Sequence, residues 1–317
     1  MDKKENSVAQ SAQDILAQVR KVIIGKDDVL IWVLAAMLAK GHILLEDIPG
    51  VGKTTMALAF SKTLGLQCSR VQCTPDVLPS DVTGYSVLDS ATGQLSYRKG
   101  AVLCNLFLAD ELNRATSRTQ SALLEAMEEG QVTVDGVSHK IPQPFTVIAT
   151  QNPTGAAGTQ LLPDSQIDRF MVRLSLGYPS AADEAAMVMS RREGNPLLSL
   201  ETLLCTEDMI ALQALVEETF VSEDVTNYAV ALIHATRNHP KIRQGASPRA
   251  TLSVIALAKA VARLKGRDYV LPEDISGVFP NAVAHRLQLT DEATLQNITA
   301  VQVLQKILHS VKAPTLR

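Results

Sequence analysis

Two short stretches hold side chains whose types and spacing suit them to phosphate chemistry. The first is Leu44-Leu45-Glu46-Asp47-Ile48-Pro49-Gly50-Val51-Gly52-Lys53-Thr54-Thr55. It ends as a phosphate-binding loop does, on Gly52-Lys53-Thr54. In such a loop backbone N–H groups turn inward onto phosphate oxygens, and the dipole of the following helix adds to their field. The lysine reaches the β- and γ-phosphates, and the Ser/Thr hydroxyl is placed for Mg²⁺. The full pattern asks for a glycine five residues before Gly52, and Asp47 stands there. Asp tolerates left-handed backbone and can close an Asx turn, but a carboxylate aimed inward would repel phosphate. The expectation is a working loop with Asp47 facing away. The second stretch, Leu106-Phe107-Leu108-Ala109-Asp110-Glu111-Leu112-Asn113-Arg114, sets two carboxylates at the end of an apolar strand. Asp110 can hold Mg²⁺ through water, with Thr54 as the second metal-side residue, and Glu111 can polarise an attacking water.

These residues converge only if strands and helices alternate around them, and the text reads that way up to Tyr178. Short apolar runs at Gly41–Leu45, Ser69–Cys73, Leu106–Ala109, Phe145–Thr150 and Met171–Leu176 read as five strands. Thr54–Leu64 and Ser117–Glu129 read as helices, the second with Ala122, Leu123, Ala126 and Met127 as its apolar stripe and Gly130 as C-cap. Strands separated by helices imply a parallel sheet covered on both faces. Two insertions interrupt the rhythm. Tyr85–Lys99 reads as a polar loop or hairpin turning at Thr92-Gly93, and Gln131–Ile141 as a hairpin turning at Asp135-Gly136. After Pro179 only 3.6-residue periods remain: Ser180–Arg192, Thr206–Thr219, Asp224–Asn238, Pro248–Leu264 and Pro272–Arg286. The fold class is therefore α/β with a second, all-helical domain, and the expected boundary divides residues 1–178 from 179–317.

Composition narrows the functional classes. A chain of 317 residues can bury a large core. Its 46% hydrophobic and 20% charged residues and net charge of -3 describe an ordinary globular protein rather than a basic nucleic-acid binder. The four cysteines, Cys68, Cys73, Cys104 and Cys205, form no CxxC pair, so buried free thiols in a reducing compartment are expected. The six histidines show no ligand constellation and read as structural or surface residues. The charged N-terminus lacks an apolar signal core, and the longest apolar run, Val29–Ala39, is too short to span a bilayer. The expectation is a cytoplasmic protein with no membrane span.

Six motifs in order, LLEDIPGVGKTT, LFLADELNR, SALLEAMEEGQVTVDG, FTVIATQNP, QIDRF and GASPRA, resemble the MoxR family of AAA+ ATPases over about Val22 to Arg286. The resemblance implies an AAA+ P-loop core with a helical lid, ATP hydrolysis with Mg²⁺, and a hexameric ring of identical chains. It also implies a protein substrate and chaperone-like remodelling, with von Willebrand factor A-domain proteins as partners. Asp at position 47 is commonplace in that family. Asn152 matches the sensor-1 residue that helps orient water. Arg169, in Asp168-Arg169-Phe170, matches the arginine finger inserted into a neighbouring subunit, and Arg249 matches sensor 2. Ser247 as N-cap and Pro248 as N1 put Arg249 in a helix's first turn, where a cation opposes the dipole and a phosphate partner would rationalise it. Ile24 and Gly25, within Val22–Gly25, match the segment that packs on adenine. Pro49, Gly50, Val51, Gly52, Lys53, Thr54 and Thr55 form the cradle. The insertions match those of the subclade that includes MCM helicases and magnesium-chelatase motors, where they face the ring pore or a partner.

Three rival readings follow from the same residues. A nucleic-acid motor would want a basic hairpin, whereas Gln131–Ile141 holds one lysine (Lys140), one histidine and one Asp, so no nucleic acid is expected. A scaffold that binds ATP without turnover is opposed by Glu111. A metal-chelatase motor subunit is compatible with the same fold.

Overall fold

The computed structural model describes residues 7–48, 50–89, 93–152, 162–190 and 194–315. Pro49, Thr92 and the expected helix end at Arg192 lie outside them. Five parallel strands form the central sheet: Ile43–Glu46, Cys68–Gln72, Leu106–Asp110, Thr146–Gln151 and Val172–Leu174. Their spatial order is second, third, fourth, first, fifth. The third and fourth strands are buried at every residue, which explains their unbroken apolar text. Alternate residues feed two cores. Ile43, Leu45, Leu106, Leu108 and Ile148 face one side, and Leu44, Phe107, Ala109, Val147 and Ala149 the other.

On the second side lies helix Ser117–Glu129, whose first turn is capped by Thr116 Oγ1 accepting from Thr119 N at 3.3 Å and whose end is closed by Gly130 in the left-handed region. The first core is larger. It runs from helices Ser7–Arg20, Asp27–Leu38 and Lys53–Thr63 into helices Thr206–Glu217, Glu223–Arg237, Pro248–Leu264, Pro272–Val283 and Ala300–Ser310. Base and lid therefore share one hydrophobic interior rather than meeting across a wet seam.

Both insertions are antiparallel hairpins, Gly84–Leu88 with Leu95–Lys99 and Gln131–Val134 with Val137–Lys140. Asp135 (φ 50°) and Gly136 (φ 77°) are both left-handed, as a two-residue turn with the strands' own twist requires. The hairpins touch through Tyr97 and His139, whose rings stack with centroids 3.6 Å apart.

Several features depart from expectation. Residues 27–38 are helical with seven of twelve residues buried, Leu30 and Val33 to Leu38; a helix apolar on most sides leaves no stripe to read. Helices Asp291–Leu295 and Ala300–Ser310 lie beyond the last one expected, although the second carries a reciprocal cap between Thr299 and Gln302. The lid also holds a short antiparallel pair, Ile242–Gln244 with Gln288–Leu289. Helix Ala181–Ser190 agrees with the expected helix from Ser180, but buries none of its residues. Cys73 and Cys104 are buried and their thiols pushed up to about 12, first by burial, but Cys205 is exposed. His42 and His285 have structural roles, bonding the carbonyls of Met127 and Phe170. No helix among the described residues is long and apolar enough to cross a membrane.

Candidate active site

The loop after the first strand emerges at the carboxyl end of the sheet, where open parallel sheets hold ligands. Gly50 (φ 88°) and Gly52 (φ 96°) adopt backbone that L side chains resist, and Gly52 leads directly into helix Lys53–Thr63. Lys53 is buried and folds back onto its own loop, its Nζ donating to the carbonyls of Asp47 at 2.8 Å and Ile48 at 2.9 Å. Burial lowers its pKa, while Asp47, Asp110 and Glu111 pull the other way.

Asp47 is itself buried and has no left-handed backbone, so that rationale for its place in the pattern does not describe it. Its carboxylate turns from the loop's mouth toward the chain leaving the fifth strand. It accepts from Ser175 Oγ at 3.0 Å, Gly177 N at 3.1 Å and Leu176 N. Where the glycine pattern allows a tight turn, this chain has a staple between the cradle and the segment leading to Tyr178.

Asp110 and Glu111 end the third strand under one organiser, Thr150. Its hydroxyl donates to Asp110 Oδ1 at 2.7 Å and accepts from Glu111 N at 2.8 Å. Asp110 Oδ2 accepts from Thr54 Oγ1 at 3.3 Å and Arg70 Nη2 at 2.8 Å. Burial would raise the pKa of Asp110, but the bonds from Thr150, Arg70 and Thr54 outweigh it and hold the carboxyl below its ordinary value. Glu111 sits at φ 56°, a strained conformation for a side-chain-bearing residue, and ion-pairs with Arg114 at 2.8 Å.

A cleft of about 780 Å³ opens beside the loop. It is lined by Val22, Ile23, Ile24 and Lys26 from the N-terminal segment, by Gly50, Val51, Gly52 and Thr55 from the loop and the start of its helix, and by Tyr178, Met187 and Leu197 from chain beyond the sheet. Lys26 Nζ donates to Tyr178 O at 2.8 Å and so ties two of these segments together. A cleft with apolar side chains next to the glycine loop fits a base and its phosphates. Gly25 (φ 73°) does not line the cleft; a Cβ there would fall 2.2 Å from Asp183 Oδ2, so the glycine admits the helix Ala181–Ser190.

Asn152 directly follows the fourth strand, and its carbonyl accepts from Asn113 Nδ2 at 3.4 Å. Arg169 and Arg249 lie elsewhere. Arg169 precedes the fifth strand, and Met171 N bonds His42 O just ahead of the first strand, which fixes this region at the sheet's amino end. Arg169 Nε donates to Glu128 Oε2 at 2.9 Å, and Arg249 Nη2 donates to Glu128 Oε1. Arg169 makes no ion pair with its neighbour Asp168 among the described residues. Asp168 instead pairs with Arg286 at 3.3 Å and accepts from Ser247 Oγ, which is why Ser247 makes no side-chain cap for the helix it precedes.

Three groups at the site escaped the motif reading: Thr150, Arg70 and the lining by Tyr178, Met187 and Leu197. Thr150 stands two residues before Asn152, and Arg70 is a lone cation in a strand. That lining comes from chain beyond the sheet, with no motif of its own.

The glycine cradle, its lysine and the paired carboxylates on an order 2-3-4-1-5 parallel sheet with a helical lid define a P-loop ATPase of the AAA+ class. Comparison with known proteins agrees. A model of the ATPase family associated with various cellular activities matches residues 42–172, and one of the AAA lid domain matches residues 234–307. The chain is 44% identical to the uncharacterized protein YeaC of Bacillus subtilis, over 94% of this chain and 93% of that one. It is 37% identical to the chaperone MoxR1 of Mycobacterium tuberculosis, over 94% and 81%. The crystal structure of an inferred ATPase from Cytophaga hutchinsonii superposes with a TM-score of 0.92 at 34% identity, covering 99% of this chain and 98% of that one. The chain belongs to the MoxR family of AAA+ ATPases.

Proposed function

We propose that this ATPase works as a ring of identical subunits, each nucleotide site completed by its neighbour, and that turnover drives remodelling or activation of partner proteins. The observation that carries the reading is the separation of the two arginines from the cradle. The first strand, Ile43–Glu46, stands between them, a rise of about 10 Å, and both guanidinium groups are tied to Glu128 at its far end. Arginines held there serve a phosphate only if it belongs to another subunit. A guanidinium supplied in trans stabilises charge on the transferring phosphoryl group, an effect worth about 10³-fold or more.

Within one subunit, Lys53 and the loop N–H groups would hold the phosphates, with Glu111 and Asn152 orienting water. Thr54 and Asp110 are hard oxygen donors already in contact, with the carboxyl held ionised, a set suited to Mg²⁺. Mg²⁺ held there by Thr54 and Asp110 would supply charge neutralisation to the phosphates. The core to residue 178 and the lid from 179 are the two working parts. The relative named a chaperone supports a protein substrate, and by family resemblance a von Willebrand factor A-domain protein is the first partner to test.

Mixing decides the trans site. Arg169→Ala and Lys53→Ala chains are each expected to be inactive, yet mixed rings contain interfaces where an intact Lys53 meets an intact Arg169, so ATPase activity should partly return. With ATP and Glu111→Gln, the sizing peak should approach about 205 kDa, six copies of 34.1 kDa. A fully active monomer would refute the reading.

A further inference from the structure

We propose that Glu128 is the positioning residue that sets both arginines at one spacing for the neighbour's phosphate, an inference that rests on the trans reading above. The two guanidinium groups come from different parts of the chain, Arg169 from the loop before the fifth strand and Arg249 from the first turn of lid helix Pro248–Leu264. They meet on opposite oxygens of one carboxylate. Glu128 is itself held on a rigid base. It sits in the last turn of helix Ser117–Glu129, where Met127 O accepts from His42 Nε2 at 3.1 Å and Val147 N donates to His42 Nδ1 at 3.0 Å. The helix end, the start of the first strand and the fourth strand are thus pinned together beneath the carboxylate.

Chemistry explains why one acid suits two bases here. Unpaired, the guanidinium groups would repel each other, and Arg249 would also meet the unfavourable end of its helix dipole. One carboxylate offsets both effects and leaves the cluster a net positive charge. It does so without using up the donors: Arg169 engages through Nε and Arg249 through Nη2, so among the described residues each keeps N–H groups free for a further acceptor. A cleft of about 230 Å³, lined also by Lys40, His42, Met171 and Ser253, opens beside them. The bracket therefore presents two oriented donor edges to one opening.

The test is steady-state ATPase kinetics on the full chain with Glu128→Asp, Glu128→Gln and Glu128→Ala, beside nucleotide binding and sizing of the assembly. Asp keeps two acceptor oxygens, Gln keeps one, and Ala keeps none. The expected order of kcat is wild type, Asp, Gln, Ala, with Ala about 10- to 100-fold down, the scale of a positioning error near 1 Å. Nucleotide affinity and assembly should not change. Wild-type kcat in both Glu128→Gln and Glu128→Ala overturns the bracket, as does a loss of kcat that tracks loss of assembly in the isosteric Gln variant. Full activity in Arg169→Ala overturns the trans reading itself, whereas an inactive Arg169→Ala beside a fully active Glu128→Ala overturns the bracket alone.

Discussion

Replacing Asp47 tests whether the position that breaks the glycine pattern is a staple or a flaw. Its carboxylate accepts three hydrogen bonds from Ser175 Oγ, Leu176 N and Gly177 N. In Asp47→Ala the buried Leu176 N–H is left without a partner, costing about 1–3 kcal/mol, and the two more accessible donors lose about 1 kcal/mol each. The sum, about 3–5 kcal/mol, corresponds to a fall in melting temperature of about 6–10 °C at roughly 2 °C per kcal/mol. Asp47→Asn, keeping one acceptor oxygen, should lie between. Because the carboxylate faces away from the phosphates, the direct effect of Asp47→Gly on ATP affinity should stay within about 1 kcal/mol, the scale of a glycine's backbone entropy. Thermal unfolding and a fluorescent-nucleotide titration measure the two quantities. Wild-type melting of Asp47→Ala would refute the staple. ATP binding tenfold tighter in Asp47→Gly would show that the carboxylate had been repelling phosphate.

Lys53→Ala should abolish nucleotide binding, whereas Glu111→Gln should keep binding and lose turnover; retained binding by the lysine variant would sink the cradle assignment. Stability should also fall on mild acidification. Burial, and then the charge of Arg286, lower the His285 pKa to about 3, so from about pH 6.5 downward the unfolded chain binds a proton that the folded chain refuses. His285 thus contributes full stability above pH 6.5, lost below it with a slope approaching about 1.4 kcal/mol per pH unit. Melting curves between pH 7 and 5.5 should therefore be flatter in His285→Gln, and an unchanged slope would remove His285 as the cause.

The third and fourth strands were legible because each is buried at every residue, whereas the second, Cys68–Gln72, is half-exposed and had only a short run to show. Helix Ser117–Glu129 was legible from its stripe and its closing glycine, and the Asp135-Gly136 turn from the two left-handed residues it needs. Local text failed where tertiary packing decides. Helix Asp27–Leu38 is enclosed on most sides and so shows no period. The site divided in the same way. The cradle and the carboxylate pair are each contiguous in sequence. The joint tenancy of Glu128 by Arg169 and Arg249 links residues 41 and 121 positions apart, and no motif announces it.

That convergence has its own cause in the fold. Arg286 is buried, and its Nη2 donates to Phe170 O at 2.8 Å and Ser253 Oγ at 3.0 Å while its Nη1 faces Asp168. Burial lowers even this guanidinium, to about 10, with Asp168 opposing the shift. A charge so placed is costly to strand, and removing one partner of such a pair destabilises by about 3–5 kcal/mol. Asp168 and Phe170 flank Arg169, and Ser253 lies one helical turn from Arg249. The same buried cation therefore grips the residues on both sides of one arginine and the helix that carries the other. A lid that shifts against the base must drag the loop holding Arg169 with it or break this contact first. The two arginines are thus built to travel as a unit, and what they would offer a neighbour is a fixed pair rather than two independent charges.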